Sequence, residues 1–373
     1  MPQHASHSIP ARRPKRALIA GIVGSALLVA TLAALALVAA QHAEAPSYAT
    51  DDALAPSFAS ALNDTARACE LPAPAAPTER EPYAPTAADI AALPSQQEPF
   101  AFNLNAASVD ASPVLADETA AALQTACAPL AEGRWNVGYL LLDLKTGRGL
   151  ASNLDAASYG ASAFKALYAL YLCETQLDTE HATLDTPCPE YAATAFMDPA
   201  GTYRYDDLAS YPLGMLIEDS ITASDNDSYR ILRANYDAEF PAYLADQGFS
   251  ASLADDWYPT YHTREAGLLW LHAAAYLASD APSAAWLGAL LQQTETSFIR
   301  DALAPQRVVV QDKAGWYADD DPAYCGINDA GIVTVGGRTY LLCLMSSAPY
   351  SSENADALTA LAATVFAARE DLA

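Results

Sequence analysis

Lysine is nearly missing from this chain: its 373 residues include only Lys15, Lys145, Lys165 and Lys313. With Lys+Arg 19 against Asp+Glu 45, the formal net charge is -26. Nucleic-acid binding needs cations that displace counterions from phosphates, so that class is excluded, and adhesion of the bulk of the chain to anionic lipid goes with it. Cysteine is scarce too. The six are Cys69, Cys127, Cys173, Cys188, Cys325 and Cys343, and no pair has the C-x-x-C spacing of a zinc or redox site. No metal or organic cofactor is expected. A hydrophobic content of 52% rules out a wholly disordered chain.

Acids are absent before Gln41, where the basic cluster Arg12, Arg13, Lys15 and Arg16 precedes an uncharged run from Ala17 to Ala40. As a helix this run would rise about 36 Å, enough to cross a hydrocarbon core of roughly 30 Å. The positive-inside rule then keeps residues 1–16 cytoplasmic and places everything after Ala40 outside. A retained single-pass anchor over 17–40 is preferred to a cleaved signal ending near Ala43-Glu44-Ala45, because secretory apolar regions are usually shorter. All six cysteines follow this run. In an exported chain their even number favours disulfides over buried thiols, with 173–188 and 325–343 locally attractive and 69–127 left over.

Residues 41–115 contain no glycine and no lysine and are rich in Ala, Pro, Ser and Thr. Repeated proline biases its neighbours to extended conformations, so this segment reads as a semi-rigid stalk with one short helix near 57–69. Residues 116–373 suit one domain. It opens with the helical run LADETAAALQTACAPLAEG. The strand VGYLLLDL and its hairpin partner GLASNLD follow, and SAFKALYALYL reads as a buried central helix. A mostly helical middle leads to RVVVQDKAGW, AGIVTV and RTYLLCLMSS, read as three strands, and to a closing amphipathic helix with Leu358, Leu361, Val365 and Phe366. The expected class is α+β, an antiparallel sheet flanked by terminal helices plus an all-helical subdomain.

Lys165 is a cation in an otherwise apolar helix, three residues after Ser162 at its first turn. Residues three apart share a helix face, so amine and hydroxyl can meet. Burial favours the neutral amine, which can take a proton from serine. On its own the pair is equally an N-cap and a core lysine. Two further motifs follow in order: Ser224-Asp225-Asn226 after a helical segment, and Lys313-Ala314-Gly315 after a strand.

S-x-x-K, S-D-N and K-T-G occur in that order in class A β-lactamases and penicillin-binding proteins. The chain resembles the class A β-lactamase-like serine hydrolases over residues 116–370. The string Lys145-Thr146-Gly147 lies before Ser162 and reads as a turn. The resemblance implies an acyl-enzyme on Ser162, with Lys165 as general base and Ser224 relaying a proton to the leaving nitrogen. It further implies that Asn226 binds the substrate amide and orients Lys165, and that Lys313 holds Ser224 and attracts a carboxylate. Gly315 and Trp316 would line the substrate, with the backbone N–H groups of Ser162 and Trp316 as oxyanion hole. Asp225 would cap the turn.

Two departures stand out. Ala314 replaces the motif's threonine and removes a hydroxyl for the substrate carboxylate. The stretch SLADDWYPTYHTRE lacks the family's E-x-x-x-N pattern, whose glutamate activates the deacylating water. Asp255 and Asp256 are the carboxylates at hand, on an expected solvated loop; Glu265 reads as a first-turn acid, and His262 and His272 as ordinary loop or helix residues. The resulting expectation is a membrane-anchored extracytoplasmic serine hydrolase. Its substrate would be a small molecule or peptide, a β-lactam or a cell-wall-like amide or ester, with slow β-lactam deacylation. A binding module on the same fold without turnover is the alternative.

Overall fold

Every residue of Val137–Asp143 is buried, which a strand achieves only when both faces of its sheet are covered. The computed structural model describes residues 84–105, 113–132, 134–189 and 209–372. The apolar run 17–40 and the expected helix near 57–69 lie outside them. Among the described residues no helix is long and apolar enough to cross a membrane.

The sheet has six strands in the order β1 (Phe100–Asn103), β3 (Arg148–Ser152), β2 (Val137–Asp143), β10 (Arg338–Ser346), β9 (Gly326–Val335) and β8 (Val309–Tyr317). All its pairings are antiparallel. Gly336 and Gly337, with φ of 57° and 76°, make the two-residue turn that joins β9 to β10. Side chains alternate between two cores. Tyr139, Leu141, Leu342 and Leu344 face one that the terminal helices α2 (Asp117–Ala131) and α10 (Ser352–Ala367) close with Leu123, Leu130, Leu358, Leu361, Val365 and Phe366. Leu140, Leu142 and Cys343 face the other, built from the helical middle of the chain. That middle comprises α3 (Lys165–Leu172), α4 (Leu213–Thr222), α5 (Asn226–Tyr236), α6 (Phe240–Asp246), α7 (Thr263–Leu277) and α8 (Ala284–Leu291), while α9 (Phe298–Leu303) buries Phe298, Ile299 and Leu303 in the terminal-helix core. Two ribbons complete the set, β4 (Ala157–Tyr159) with β7 (Thr260–His262) and β5 (Pro187–Pro189) with β6 (Ser210–Pro212).

The folded unit starts earlier than residue 116. Helix α1 (Ala87–Ala91) carries a Thr86/Asp89 capping box and buries Ile90, and Arg264 Nη1 donates to the Ile90 carbonyl at 2.7 Å. Strand β1 pairs with β3, Phe100 opposite Ala151. So part of the expected stalk is sheet and core: four residues, FAFN, are too few to stand out in a Pro/Ala-rich background, and their partner is supplied by a hairpin about fifty residues on.

The expected disulfides are absent: Cys127, Cys173, Cys188, Cys325 and Cys343 are all unbridged, and Cys69 lies outside the described residues. Register explains one pair. Cys343 opposes Ala330, so Cys325 sits five residues, about 17 Å, away along β9, whereas a disulfide needs Cα atoms within about 7 Å. Cys188 Sγ lies 3.6 Å from the Tyr236 hydroxyl, while Cys173 is buried in the helical core beside Tyr276. Burial pushes the Cys173 and Cys343 thiols far up, which keeps them unreactive.

Lys145-Thr146-Gly147 is the β2–β3 turn. The Asp143 carboxylate accepts from the N–H groups of Lys145 at 2.9 Å and Thr146 at 3.3 Å, and Gly147 takes φ of 74°.

Candidate active site

Ser162 lies in a single 3-10 turn, Ala161–Phe164, that runs directly into α3. The Lys165 N–H donates to the Ser162 carbonyl, and in a 3-10 turn side chains at i and i+3 eclipse. Serine and lysine thus share one line of the turn, aligned more closely than a regular α-helix would align them. Ala161 adopts φ of 45° and Ser224 φ of 56°. Both are costly for non-glycine residues, so surrounding contacts must hold them.

Those contacts are identifiable. Gly160 N–H donates to the Pro259 carbonyl at 3.0 Å. Strand β8 presses on the same turn: a β-carbon at Gly315 would fall 2.2 Å from Ala163 N, 2.5 Å from Gly160 O and 2.8 Å from Ser162 N. Only glycine lets strand and turn approach this closely. Asn328, fully buried on β9, ties the assembly together. Its Nδ2 donates to the Tyr159 carbonyl at 2.8 Å and, more weakly, to those of Gly160 and Gly315 at 3.4 Å. Its Oδ1 accepts from Ser158 Oγ at 3.0 Å and Ser346 N–H at 3.1 Å.

Lys165 is 1% exposed. Its Nζ donates to the Ser224 carbonyl and to Asn226 Oδ1, each at 2.7 Å, and to the Asp225 carbonyl at 3.3 Å. The rings of Tyr229 and Tyr258 flank it at 5.4 and 5.8 Å. Asp225 is the N-cap of α5, accepting from Ser228 N–H and Ser228 Oγ at 2.7 Å each. This cap starts the helix at Asn226 and aims its amide back at Lys165. Lys313, also 1% exposed, donates to Ser224 Oγ at 3.0 Å and to the Ala314 carbonyl at 3.0 Å. Burial pulls its amine down to about 8 against the opposing pull of Asp329 and Asp312. The structure therefore joins Lys165, Ser224, Asn226 and Lys313 in one connected group, with Ser162 on the turn before Lys165 and Gly315 against that turn. Trp316 continues β8, its ring packed against Phe298 and Tyr350.

Ala314 is fully buried in the core on the terminal-helix side, so this position offers a ligand no hydroxyl and no exposed atom. On that side Asp312 accepts from Ser297 Oγ, from Thr294 Oγ1 at 3.0 Å and from Arg300 Nη2 at 3.1 Å. Asp329 accepts from Ile299 N–H at 2.9 Å. Burial raises both carboxyls, and Asp312 adds to the rise of Asp329.

The stretch from Ser252 to Glu265 brings a phenol, not a glutamate, to the lysine. Tyr258 donates to Asn226 Oδ1 at 2.9 Å, and the Trp257 carbonyl accepts from Tyr229 at 2.9 Å. Asp255 and Asp256 are exposed. Glu265 and His262 form the capping box of α7, and His272 Nε2 lies 3.0 Å from Glu174 Oε2. None of these three joins the Lys165 group. Tyr258 and Asn328 carried no motif in the sequence, and Asn328 falls just before the run AGIVTV that the sequence presents as a strand.

Residues 119–368 match the β-lactamase enzyme family. The chain belongs to this family. Solved structures similar to this β-lactamase-family chain include PBP-A, 20% identical over 68% of this chain and 97% of that one, with a TM-score of 0.57. A point mutant of PBP-A, solved as an acyl-enzyme complex with penicillin G, is similar at 19% identity, with the same 68% and 97% coverage and a TM-score of 0.56. A last common ancestor of Gram-negative bacteria class A β-lactamase is 22% identical over 67% of this chain and 99% of that one, with a TM-score of 0.54. These likenesses establish the class A β-lactamase fold. No curated protein sequence matches the chain.

Proposed function

We propose that this chain is a serine hydrolase that forms an acyl-enzyme on Ser162 with a β-lactam or a cell-wall-peptide-like amide or ester. The single observation that carries this reading is the placement of Lys165. Ser224 O and Asn226 Oδ1 hold its Nζ at 2.7 Å and the Asp225 carbonyl at the longer 3.3 Å, and loss of the proton on that weakest contact leaves a neutral amine one turn from the Ser162 hydroxyl. Lys165 then removes the Ser162 proton as Oγ attacks the carbonyl carbon. The N–H groups of Ser162 and Trp316 receive the oxyanion. As the C–N or C–O bond breaks, Ser224 passes a proton to the leaving group and Lys313 stands behind Ser224 as the charged donor. Asn226 holds both Lys165 and the substrate amide, and Lys313 and Gly315 line the substrate, with Trp316 contributing only through its backbone N–H because its ring packs on the terminal-helix side.

Discharge of a β-lactam acyl group is slow in this reading, because Tyr258 stands beside Asn226 where a water-activating carboxylate is needed and a neutral phenol is a poor base at about pH 7. The acyl-enzyme with penicillin G seen for the PBP-A mutant supports the same covalent chemistry here. The basic cluster and apolar run 17–40 support anchoring in a membrane with the catalytic domain outside.

The test is intact-mass analysis after exposure to a penicillin or a fluorophosphonate. A stoichiometric adduct mapped to Ser162 is expected. An adduct that survives in Ser162→Ala would move the nucleophile elsewhere. Absence of any adduct would favour a binding module that has kept only the fold.

A further inference from the structure

Side chains at i, i+2 and i+4 share one face of a strand, so Lys313, Gly315 and Tyr317 line one side of β8. Gly315 lies against the nucleophile turn. Lys313 and Tyr317 therefore stand on opposite sides of Ser162, each about 7 Å along the strand from Gly315 and about 13 Å from one another. The two ends differ in chemistry. The Lys313 end is cationic. At the other end Tyr159 meets Tyr317 at 6.2 Å and Tyr324, edge-on at 86°, at 5.7 Å.

This cluster is held in place yet open. A β-carbon at Gly326, the cross-strand partner of Tyr317, would fall 2.1 Å from the Tyr159 carbonyl oxygen, so Tyr159 is pinned against the strand ends. Tyr317 is 49% and Tyr324 53% exposed, unusual for two adjacent aromatics that have a core available. Burial, Tyr317, Asp256, Tyr324 and Asp319, in that order, push the Tyr159 phenol up to about 12. Two carboxylates thus act on this ring from different segments of chain. Asp319 is positioned by accepting from Asp321 N–H at 3.0 Å. Neither segment brings a compensating cation, for no lysine or arginine occurs between Arg233 and Arg264 or between Lys313 and Arg338.

We propose that Tyr159, Tyr317 and Tyr324 form a subsite for an ammonium group, and that the substrate is a zwitterionic peptide-like amide or ester. Its carboxylate faces Lys313, its ammonium lies among the three rings about 13 Å away, and its scissile carbonyl sits between them at Ser162. Ring faces attract a cation electrostatically, and flanking carboxylates strengthen that preference over an uncharged aromatic group. This inference rests on the acyl-transfer reading of Ser162 and names its substrate class.

The experiment uses a matched pair of short depsipeptides with a free C-terminal carboxylate, one with a free terminal amine and one with that amine acetylated. Binding is measured by calorimetry on the full chain carrying Ser162→Ala, so that chemistry plays no part. The free amine is expected to bind about tenfold tighter or more, with the ratio shrinking as salt is raised. The ratio should fall towards one in Tyr317→Leu/Tyr324→Leu and decrease in the surface variant Asp256→Asn, which does not disturb packing. Equal affinities, no binding of either form, or a ratio unmoved by both variants would overturn the subsite. The pair is also offered to the chain with Ser162 intact. A tenfold preference in binding with neither an acyl adduct nor a hydrolysis product would instead retain the ammonium subsite and remove the hydrolase reading.

Discussion

Tyr258 donates its phenolic hydrogen to the same Asn226 oxygen that accepts from Lys165, at 2.9 and 2.7 Å respectively. The loop after α6 therefore completes the lysine's surroundings without adding a carboxylate. Acylation needs no group from that loop, whereas hydrolysis of the acyl group needs a base with access to water.

Replacing Tyr258→Glu is expected to supply that base. Release of a penicilloyl label from Ser162, followed by intact mass over time, should accelerate about tenfold or more, while labelling itself continues. An unchanged release rate would mean that the phenol's position is not the one from which water is activated.

Gly315→Ala forces a methyl group against Ala163 N and Gly160 O. Both neighbours are backbone and cannot swing aside, so β8 and the nucleophile turn must separate. A loss of about 1–3 kcal/mol in urea unfolding is expected, together with labelling of Ser162 slowed by about a hundredfold or more. A variant that labels at the original rate would show that contact between strand and turn is not needed.

Lys313 titrates near 8 because burial disfavours its charge. It is cationic below that pH and neutral above it. Capture of substrates with a free carboxylate should therefore weaken as pH rises through about 8, with acylation by the methyl ester of the same compound far less affected. The sign for stability is the opposite: with the folded value below the usual 10.5, the unfolded chain binds more protons between about 8 and 10.5. This group's penalty is thus relieved as pH rises across that window.

Much of this site was legible because its chemistry travels in short strings. Ser162 to Lys165, Ser224 to Asn226 and Lys313 to Gly315 are each local, and their spacing fixes face and direction. The sheet was legible where apolar runs were long, as in Val137–Asp143 and Arg338–Ser346. Strand β1 was not, since FAFN has no pattern of its own and exists only through Ala151 and its neighbours. Tyr258 and Asn328 were invisible for the same reason: each acts on residues distant in sequence. The cysteines misled because an even count speaks of compartment, while bonding depends on a register that composition does not contain.

Asn328→Ala removes the amide that bridges β4, β8 and β10 and strands the Ser346 N–H and the Tyr159 carbonyl without that partner. A cost of about 3 kcal/mol is expected, read as a lower urea midpoint with an unchanged slope. Asn328→Asp should also destabilise, because it trades the donating Nδ2 for a second acceptor facing three carbonyls.

The central claim, that Ser162 is a nucleophile activated by Lys165, is tested most directly by time-resolved intact mass of the chain with a penicillin, side by side with Ser162→Ala and Lys165→Ala. The account predicts one adduct per chain on Ser162, none in Ser162→Ala, and labelling slowed by about a hundredfold or more in Lys165→Ala with the fold retained. Labelling of Lys165→Ala at the original rate, or an adduct that persists in Ser162→Ala, would contradict it.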